Sequence, residues 1–203
     1  MGIVAHIDAG KTTTSEYMLY LCGDISSAGR VDNGDTVMDF LPQERERGIT
    51  IGSAAISMQW RDYKINLIDT PGHVDFTVEV ERSCRVLDGV VVVVDAVSGV
   101  QAQTRTVWKQ AARQCLPAVV FVNKMDREGA SFTRALHSVE QKLGVSTLPL
   151  QLPCRTTDES FDGFVDLLSM NKYEWLDLKS AEYAKHLAAP PIPKVKKEQY
   201  PFS

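Results

Sequence analysis

Ala5-His6-Ile7-Asp8-Ala9-Gly10-Lys11-Thr12 follows the apolar run Ile3 to Ile7, which reads as a short buried strand, and leads into Thr13 to Leu21, which reads as a helix. A Gly-Lys-Thr between a strand and a helix is the P-loop context. Backbone N–H groups there wrap phosphate oxygens, the Lys11 ammonium supplies a point charge, and the Thr12 hydroxyl is placed to ligate magnesium. The positive end of the helix dipole adds to the anion field. The general pattern has Gly where Ala5 stands, and Ala there needs negative φ and slightly more room.

Outward from this loop, strand and helix patterns alternate. Ala54 to Trp60 and Tyr63 to Ile68 read as two strands joined by the tight Arg61-Asp62 turn. Val90 to Val94 is apolar on both faces, as a central parallel strand must be, and Ala118 to Val122 repeats that signal. Phe76, Val80, Cys84 and Leu87 recur at helical spacing, as do Phe132, Ala135, Leu136, Val139 and Leu143, and both stripes read as core-facing. The predicted fold is α/β, a P-loop NTPase with a doubly wound, mostly parallel sheet and the start of an inserted subdomain. Its ligand site lies at the carboxyl ends of the strands.

Two further motifs fall at such ends. Asp69-Thr70-Pro71-Gly72-His73 follows the strand ending at Ile68. A carboxylate such as Asp69 can hold magnesium through water, and Gly72 leaves its N–H open to a γ-phosphate. Release of that phosphate would free the loop, which makes it a switch. Asn123-Lys124-Met125-Asp126 follows the strand ending at Val122. Guanine offers adjacent N1–H and N2 donors that the single Asp126 carboxylate can accept together, and adenine lacks the pair. Asn123 can bond toward the base and back to the P-loop, and the Lys124 stem can cover the ring. The predicted nucleotide-contacting set is therefore Asp8, Ala9, Gly10, Lys11, Thr12, Thr13, Gly72, Asn123, Lys124 and Asp126, for GTP or GDP with Mg2+.

Composition narrows the class without naming a partner. With 203 residues, 44% of them hydrophobic and a net charge of -4, the chain can bury one sizeable core, and it lacks the overall basic excess of a general RNA binder. Cys22, Cys84, Cys115 and Cys154 form no Cys-x-x-Cys pair, so reduced, mostly buried thiols are expected rather than zinc or disulfides. No run of about 18 apolar residues suggests a membrane span. Only Met1 and Gly2 precede Ile3-Val4-Ala5, so no cleavable targeting peptide is expected in the sequence as it stands.

Gln43-Glu44-Arg45-Glu46-Arg47-Gly48-Ile49-Thr50-Ile51, together with the three motifs and Val74 to Arg82, resembles the elongation factor G family of translational GTPases. The resemblance runs from about Gly2 to Leu168. It implies that Thr50 lies in a first switch loop and joins Thr12 and Asp69 as a magnesium ligand, and that His73 orients the attacking water in GTP hydrolysis. Lys11, Thr50 and His73 are thus the expected catalytic residues. At an unperturbed pKa of about 6.5, His73 could serve either by positioning or by charge. The resemblance further implies a monovalent cation beside Asp8, with a turn-stabilising carboxylate as the alternative. Arg45 and Arg47 are not expected to act as arginine fingers, and His6, His137 and His186 read as structural or solvated.

Within that family, Val31 to Phe40 and Leu148 to Pro153 are most similar to the mitochondrial ribosome-releasing form. That implies the mitochondrial matrix, the ribosome with its RNA as partner, and a role beside a ribosome recycling factor. Translocation, and a slow GTPase-derived binding or assembly module, stand as alternatives. Expected boundaries are 1–147 for the GTP-binding domain, 148–187 for a partial inserted subdomain with strands at Phe161 to Leu168 and Lys172 to Leu176, and 188–203 for an extended or disordered tail. Lys194, Lys196 and Lys197 read as solvated tail residues. The family's last strand, its Ser-Ala base-contacting loop and its β-barrel find no match here, which is expected to leave a sheet edge exposed.

Overall fold

The computed structural model describes residues 1–29, 36–37, 54–70, 77–155, 161–175 and 195–199. The chain divides into two compact units, Met1–Val145 and Ser146–Ser203. The first contains β1 (Gly2–Ala5), α1 (Lys11–Cys22), β2 (Ala54–Trp60), β3 (Tyr63–Asp69), α2 (Thr77–Cys84), β4 (Val90–Asp95), α3 (Ala102–Arg113), β5 (Ala118–Asn123) and α4 (Phe132–Leu143). Its sheet has the order β2-β3-β1-β4-β5. β3, β1, β4 and β5 run parallel, and β2 pairs antiparallel with β3.

Period-2 alternation distributes the apolar residues to two faces. Val4 of β1 and Val90, Val92 and Val94 of β4 pack with Val80 and Cys84 of α2, Val107 and Ala111 of α3, and Val139 of α4. Ile3, Ala5 and Val93, pointing the other way, pack with Leu19 of α1, Met58 of β2 and Leu67 of β3. This is the doubly wound α/β fold expected from the sequence. It also explains the unbroken valine run, since β4 is buried from both sides.

β1 sits between β3 and β4, so the chain leaves it at the point where the strand order reverses. In such sheets the crevice beyond the carboxyl ends of the strands receives ligands there. α1 begins at Lys11 rather than Thr13, and β1 ends at Ala5 rather than Ile7. The five residues between them are therefore free to form a loop.

Ala118 to Val122 behaves differently from the central strand it resembles in sequence. Among the described residues β5 is the edge of its sheet, with Val119 57% and Phe121 44% exposed. An apolar run reports affinity for burial, whereas position in the sheet is set by pairing. The thiols also differ from one another: Cys84 is buried, Cys22 and Cys154 half-buried, and Cys115 exposed, all four unbridged.

The second unit contains β6 (Gln151–Arg155), β7 (Phe161–Asp166), β8 (Asn171–Trp175) and β9 (Val195–Gln199), an antiparallel sheet in chain order. Phe164 and Tyr173 face each other across β7 and β8 with ring centroids 5.0 Å apart. Lys196 and Lys197 lie in β9, which pairs with β8, within the stretch read from sequence as tail. The Pro-rich approach to Val195 carries the tail signal, but the backbone of β8 offers a ladder that composition does not reveal. Among the described residues, no helix is long and apolar enough to cross a membrane.

Leu19 is fully buried beneath the α1 face, so Leu19→Ala should lower the unfolding free energy by about 2–5 kcal/mol in urea titrations. Val86, 71% exposed, should tolerate Ala within about 0.5 kcal/mol. In the second sheet, a Cβ at Gly163 would stand 1.9 Å from the Tyr173 carbonyl oxygen. Gly163→Ala should therefore disrupt β7–β8 pairing, read as loss of amide-exchange protection in those two strands.

Candidate functional site

The turn from β1 to α1 uses two residues of positive φ, Asp8 at 59° and Gly10 at 93°. Curled backbone of this kind brings successive N–H groups together as an anion-binding concavity. Ala9 is buried between them. Gly10 occupies the position before α1, and its carbonyl accepts both the Thr14 N–H at 2.9 Å and the Thr14 hydroxyl at 2.8 Å. Glycine suits this position because φ is 93°, which L side chains rarely adopt, and because an added Cβ would stand 2.3 Å from Asn123 Nδ2 and displace that side chain from the Ala9 carbonyl.

The first turn of α1 is buried although it is polar. Lys11, Thr12, Ser15 and Glu16 are all enclosed, while Thr13 is exposed. Lys11 Nζ reaches Asp69 Oδ1 at 2.8 Å, joining the end of β3 to the start of α1. Thr70, also buried, donates its hydroxyl to the Ile3 carbonyl at 2.8 Å, which fixes the exit of β3 against β1. Thr12 and Asp69 together present hard oxygen donors beside Lys11, the donor chemistry that suits Mg2+.

The loop after β5 returns to the same place. Asn123 donates from Nδ2 to the Ala9 carbonyl at 2.9 Å. Lys124, at φ 59°, hydrogen-bonds the Asp8 carbonyl and pairs with Asp95 Oδ2 at 2.8 Å. Asp126 is exposed in the turn that follows, where the Arg127 N–H bonds the Lys124 carbonyl at 3.2 Å. The P-loop carbonyls are thus held by the side chains of the Asn-Lys-x-Asp loop. Asp69 meets this arrangement through Lys11. Thr50, Gly72 and His73, with Arg45 and Arg47, lie outside the described residues.

Four contributors fall outside the site residues expected from the sequence. Gln103 Oε1 accepts the Ile7 N–H at 3.1 Å, tying α3 to the P-loop. His6 Nδ1 lies 3.5 Å from the Thr104 hydroxyl. Glu16, fully buried, accepts the N–H of Gly29 at 3.1 Å and of Val37 at 2.7 Å. Asp95 ends β4. The valine run before it could have marked Asp95 as a strand-end carboxylate, but its partner could not be read from spacing.

Burial shifts these groups in different directions. It pushes the His6 pKa below its ordinary value against the opposing pull of Asp95, which favours the neutral ring. Burial alone would raise Asp95, but the hydrogen bond from Lys124, the N–H groups of Val97 and Ser98, and the Lys124 charge outweigh it and bring the pKa down to about 2. Because the folded value lies below the ordinary aspartate value of 3.8, the resulting stabilisation is present above that pH. It is lost as pH falls through about 2.

Comparison with known proteins agrees with this geometry. The family model for the elongation factor Tu GTP binding domain matches residues 1–199. Elongation factor G of Mycoplasma pneumoniae is 56% identical over 172 residues, covering 85% of this chain and 25% of that protein. The mitochondrial ribosome-releasing factor 2 of Danio rerio is 57% identical over 175 residues, covering 86% of this chain and 23% of that protein. A crystal structure from Thermus thermophilus superposes with a TM-score of 0.84 at 28% identity, covering 98% of this chain and 28% of that one. The chain spans about a quarter of the length of these curated relatives. With a family model over nearly its whole length and a P-loop braced by an Asn-Lys-x-Asp loop, the chain belongs to the elongation factor Tu GTP-binding domain family.

Proposed function

We propose that this chain binds GTP and GDP with Mg2+ and hydrolyses GTP as the nucleotide domain of an elongation factor G-like translation factor. The observation that carries the reading is the hydrogen bond from Asn123 to the Ala9 carbonyl, which joins a guanine-type loop to a phosphate-type loop. Asp126 then accepts the N1–H and N2 donors of guanine, and the Lys124 stem covers the ring. The P-loop N–H groups and Lys11 take the phosphate charge, with Ala9, Gly10 and Thr13 completing the cradle.

Thr12, Asp69 and Thr50 would hold Mg2+, which neutralises charge on the β- and γ-phosphate oxygens. Gly72 gives its N–H to the γ-phosphate, and His73 orients the water that attacks in line. Most of the catalytic advantage then comes from positioning and fixed charge rather than covalent chemistry. Asp8, exposed and at positive φ, suits a monovalent cation beside the loop.

The partner in this reading is the ribosome with its RNA. Among factors of this type, we favour recycling on the mitochondrial ribosome, alongside a recycling factor in the matrix. Support comes from the mitochondrial ribosome-releasing relatives and from Val31 to Phe40 and Leu148 to Pro153. Bacterial elongation factor G relatives are as similar overall, so the choice rests on those short stretches. The proposed layout keeps 1–147 as the GTP-binding domain and 148–187 as part of an inserted subdomain.

Lys11→Ala should weaken GDP binding about 10- to 100-fold, the worth of one or two charge-assisted contacts. Ribosome-stimulated phosphate release should fall with it; hydrolysis at the rate of this control would overturn the enzyme reading. Xanthine carries a carbonyl where guanine carries its amino group, so Asp126→Asn should shift the GTP-to-XTP preference by on the order of 10²-fold or more. An unchanged preference in competition binding would remove Asp126 from the base site. For the ribosomal role, splitting of post-termination mitochondrial ribosomes by the longer factor supports recycling, whereas peptide translocation opposes it.

A further inference from the structure

We propose that Asp95 is a positioning residue of the guanine-nucleotide site, holding the Lys124 ammonium against the Asp8 carbonyl and thereby prolonging nucleotide residence. The inference rests on the guanine-binding reading and adds a residue that none of the three motifs contains.

A lysine side chain is a flexible four-carbon stem with a rotatable head. For its stem to lie across a base, its far end must be fixed. Two features of the fold fix it. The β4–β5 register sets Asp95 directly beside Asn123, so the residue that follows Asn123 emerges next to the Asp95 carboxylate. Lys124 then takes φ 59°, and its Nζ is found at Asp95 Oδ2 at 2.8 Å.

The carboxylate is itself oriented. Its Oδ1 accepts the N–H groups of Val97 at 2.7 Å and Ser98 at 3.1 Å, which leaves Oδ2 directed at Lys124. Asp95 is 6% exposed, so water screens the pair weakly. A buried charge with a single fixed geometry costs ordering only once, when the domain folds. Lys124 is therefore already in place when the nucleotide arrives, and binding need not immobilise it.

The turn after Asp95 does not depend on that carboxylate alone. The Gly99 N–H bonds the Asp95 main-chain carbonyl at 2.8 Å, Gln101 Nε2 bonds the Ser98 carbonyl at 2.7 Å, and Lys142 Nζ bonds the Val100 carbonyl at 2.7 Å. The Ser138 hydroxyl accepts the Val100 N–H at 3.0 Å. Asp95→Asn keeps an oxygen for the Val97 and Ser98 N–H groups but sets an amide in place of the anion. It thus separates capping of the turn from pairing with Lys124. Asp95→Ser, whose hydroxyl also caps such turns, provides a second variant if the amide perturbs folding.

The test uses the chain with Mg2+ and a fluorescently labelled GDP, reading the dissociation rate after a chase of unlabelled GDP. Asp95→Asn should release GDP about tenfold faster, a change of about 1.4 kcal/mol, with the guanine-over-adenine preference intact. In a Lys124→Ala background the same substitution should change the rate by less than about twofold, since the coupled partner is gone. Release at the unsubstituted rate, or a full tenfold effect in the Lys124→Ala background, would sink the proposal while leaving guanine binding standing. A chain that binds no labelled GDP at all would overturn the guanine reading and this inference with it.

Discussion

The carbonyl oxygens of Asp8 and Ala9 accept hydrogen bonds from Lys124 and Asn123, and the local geometry of the site follows from that pair. A loop with residues at φ 59° and 93° is not a low-energy conformation for an isolated peptide. Fixing its carbonyls from a strand two positions away in the sheet makes the curl persistent. The same contacts bring the Asn-Lys-x-Asp turn beside the P-loop, although the two are more than a hundred residues apart in the chain.

That arrangement is possible because the sheet holds the strand ends in register. β1, β4 and β5 are parallel neighbours, so their carboxyl ends rise on one edge. The two apolar clusters on opposite faces give β1 and β4 little freedom to slide, since a one-residue slip would exchange the buried faces. Polar residues of α1 are buried in its first turns because they adjoin the loop, and Leu19 is buried further along because it faces the sheet. Core packing and site geometry are thus two consequences of one topology.

The charged groups show the same dependence. Lys11 with Asp69 and Lys124 with Asp95 are enclosed pairs whose partners come from different strands. Taking such charges out of water is costly unless they are matched closely, and Lys124 with the Val97 and Ser98 N–H groups holds the Asp95 carboxyl below its usual range. Glu16 is a third case, its carboxylate receiving backbone N–H groups from Gly29 and Val37. Each of these carboxylates lies where a strand or helix face meets the loops.

The sequence by itself determined the fold class and located the P-loop and the Asn-Lys-x-Asp loop, because both depend on local patterns. Val90 to Val94 reads as central from its two apolar faces, and Gly10-Lys11-Thr12 and Asn123-Lys124-Met125-Asp126 carry their chemistry in adjacent residues. Tertiary structure alone decided which groups meet across the chain: Asp95 with Lys124, Gln103 with Ile7, Glu16 with Gly29 and Val37. It also decided that β5 lies at the edge of its sheet among the described residues and that Val195–Gln199 pairs with β8. The physical reason is the same in each case. Periodicity reports how strongly a segment seeks burial, while its neighbours are chosen by backbone pairing and charge matching between segments distant in sequence.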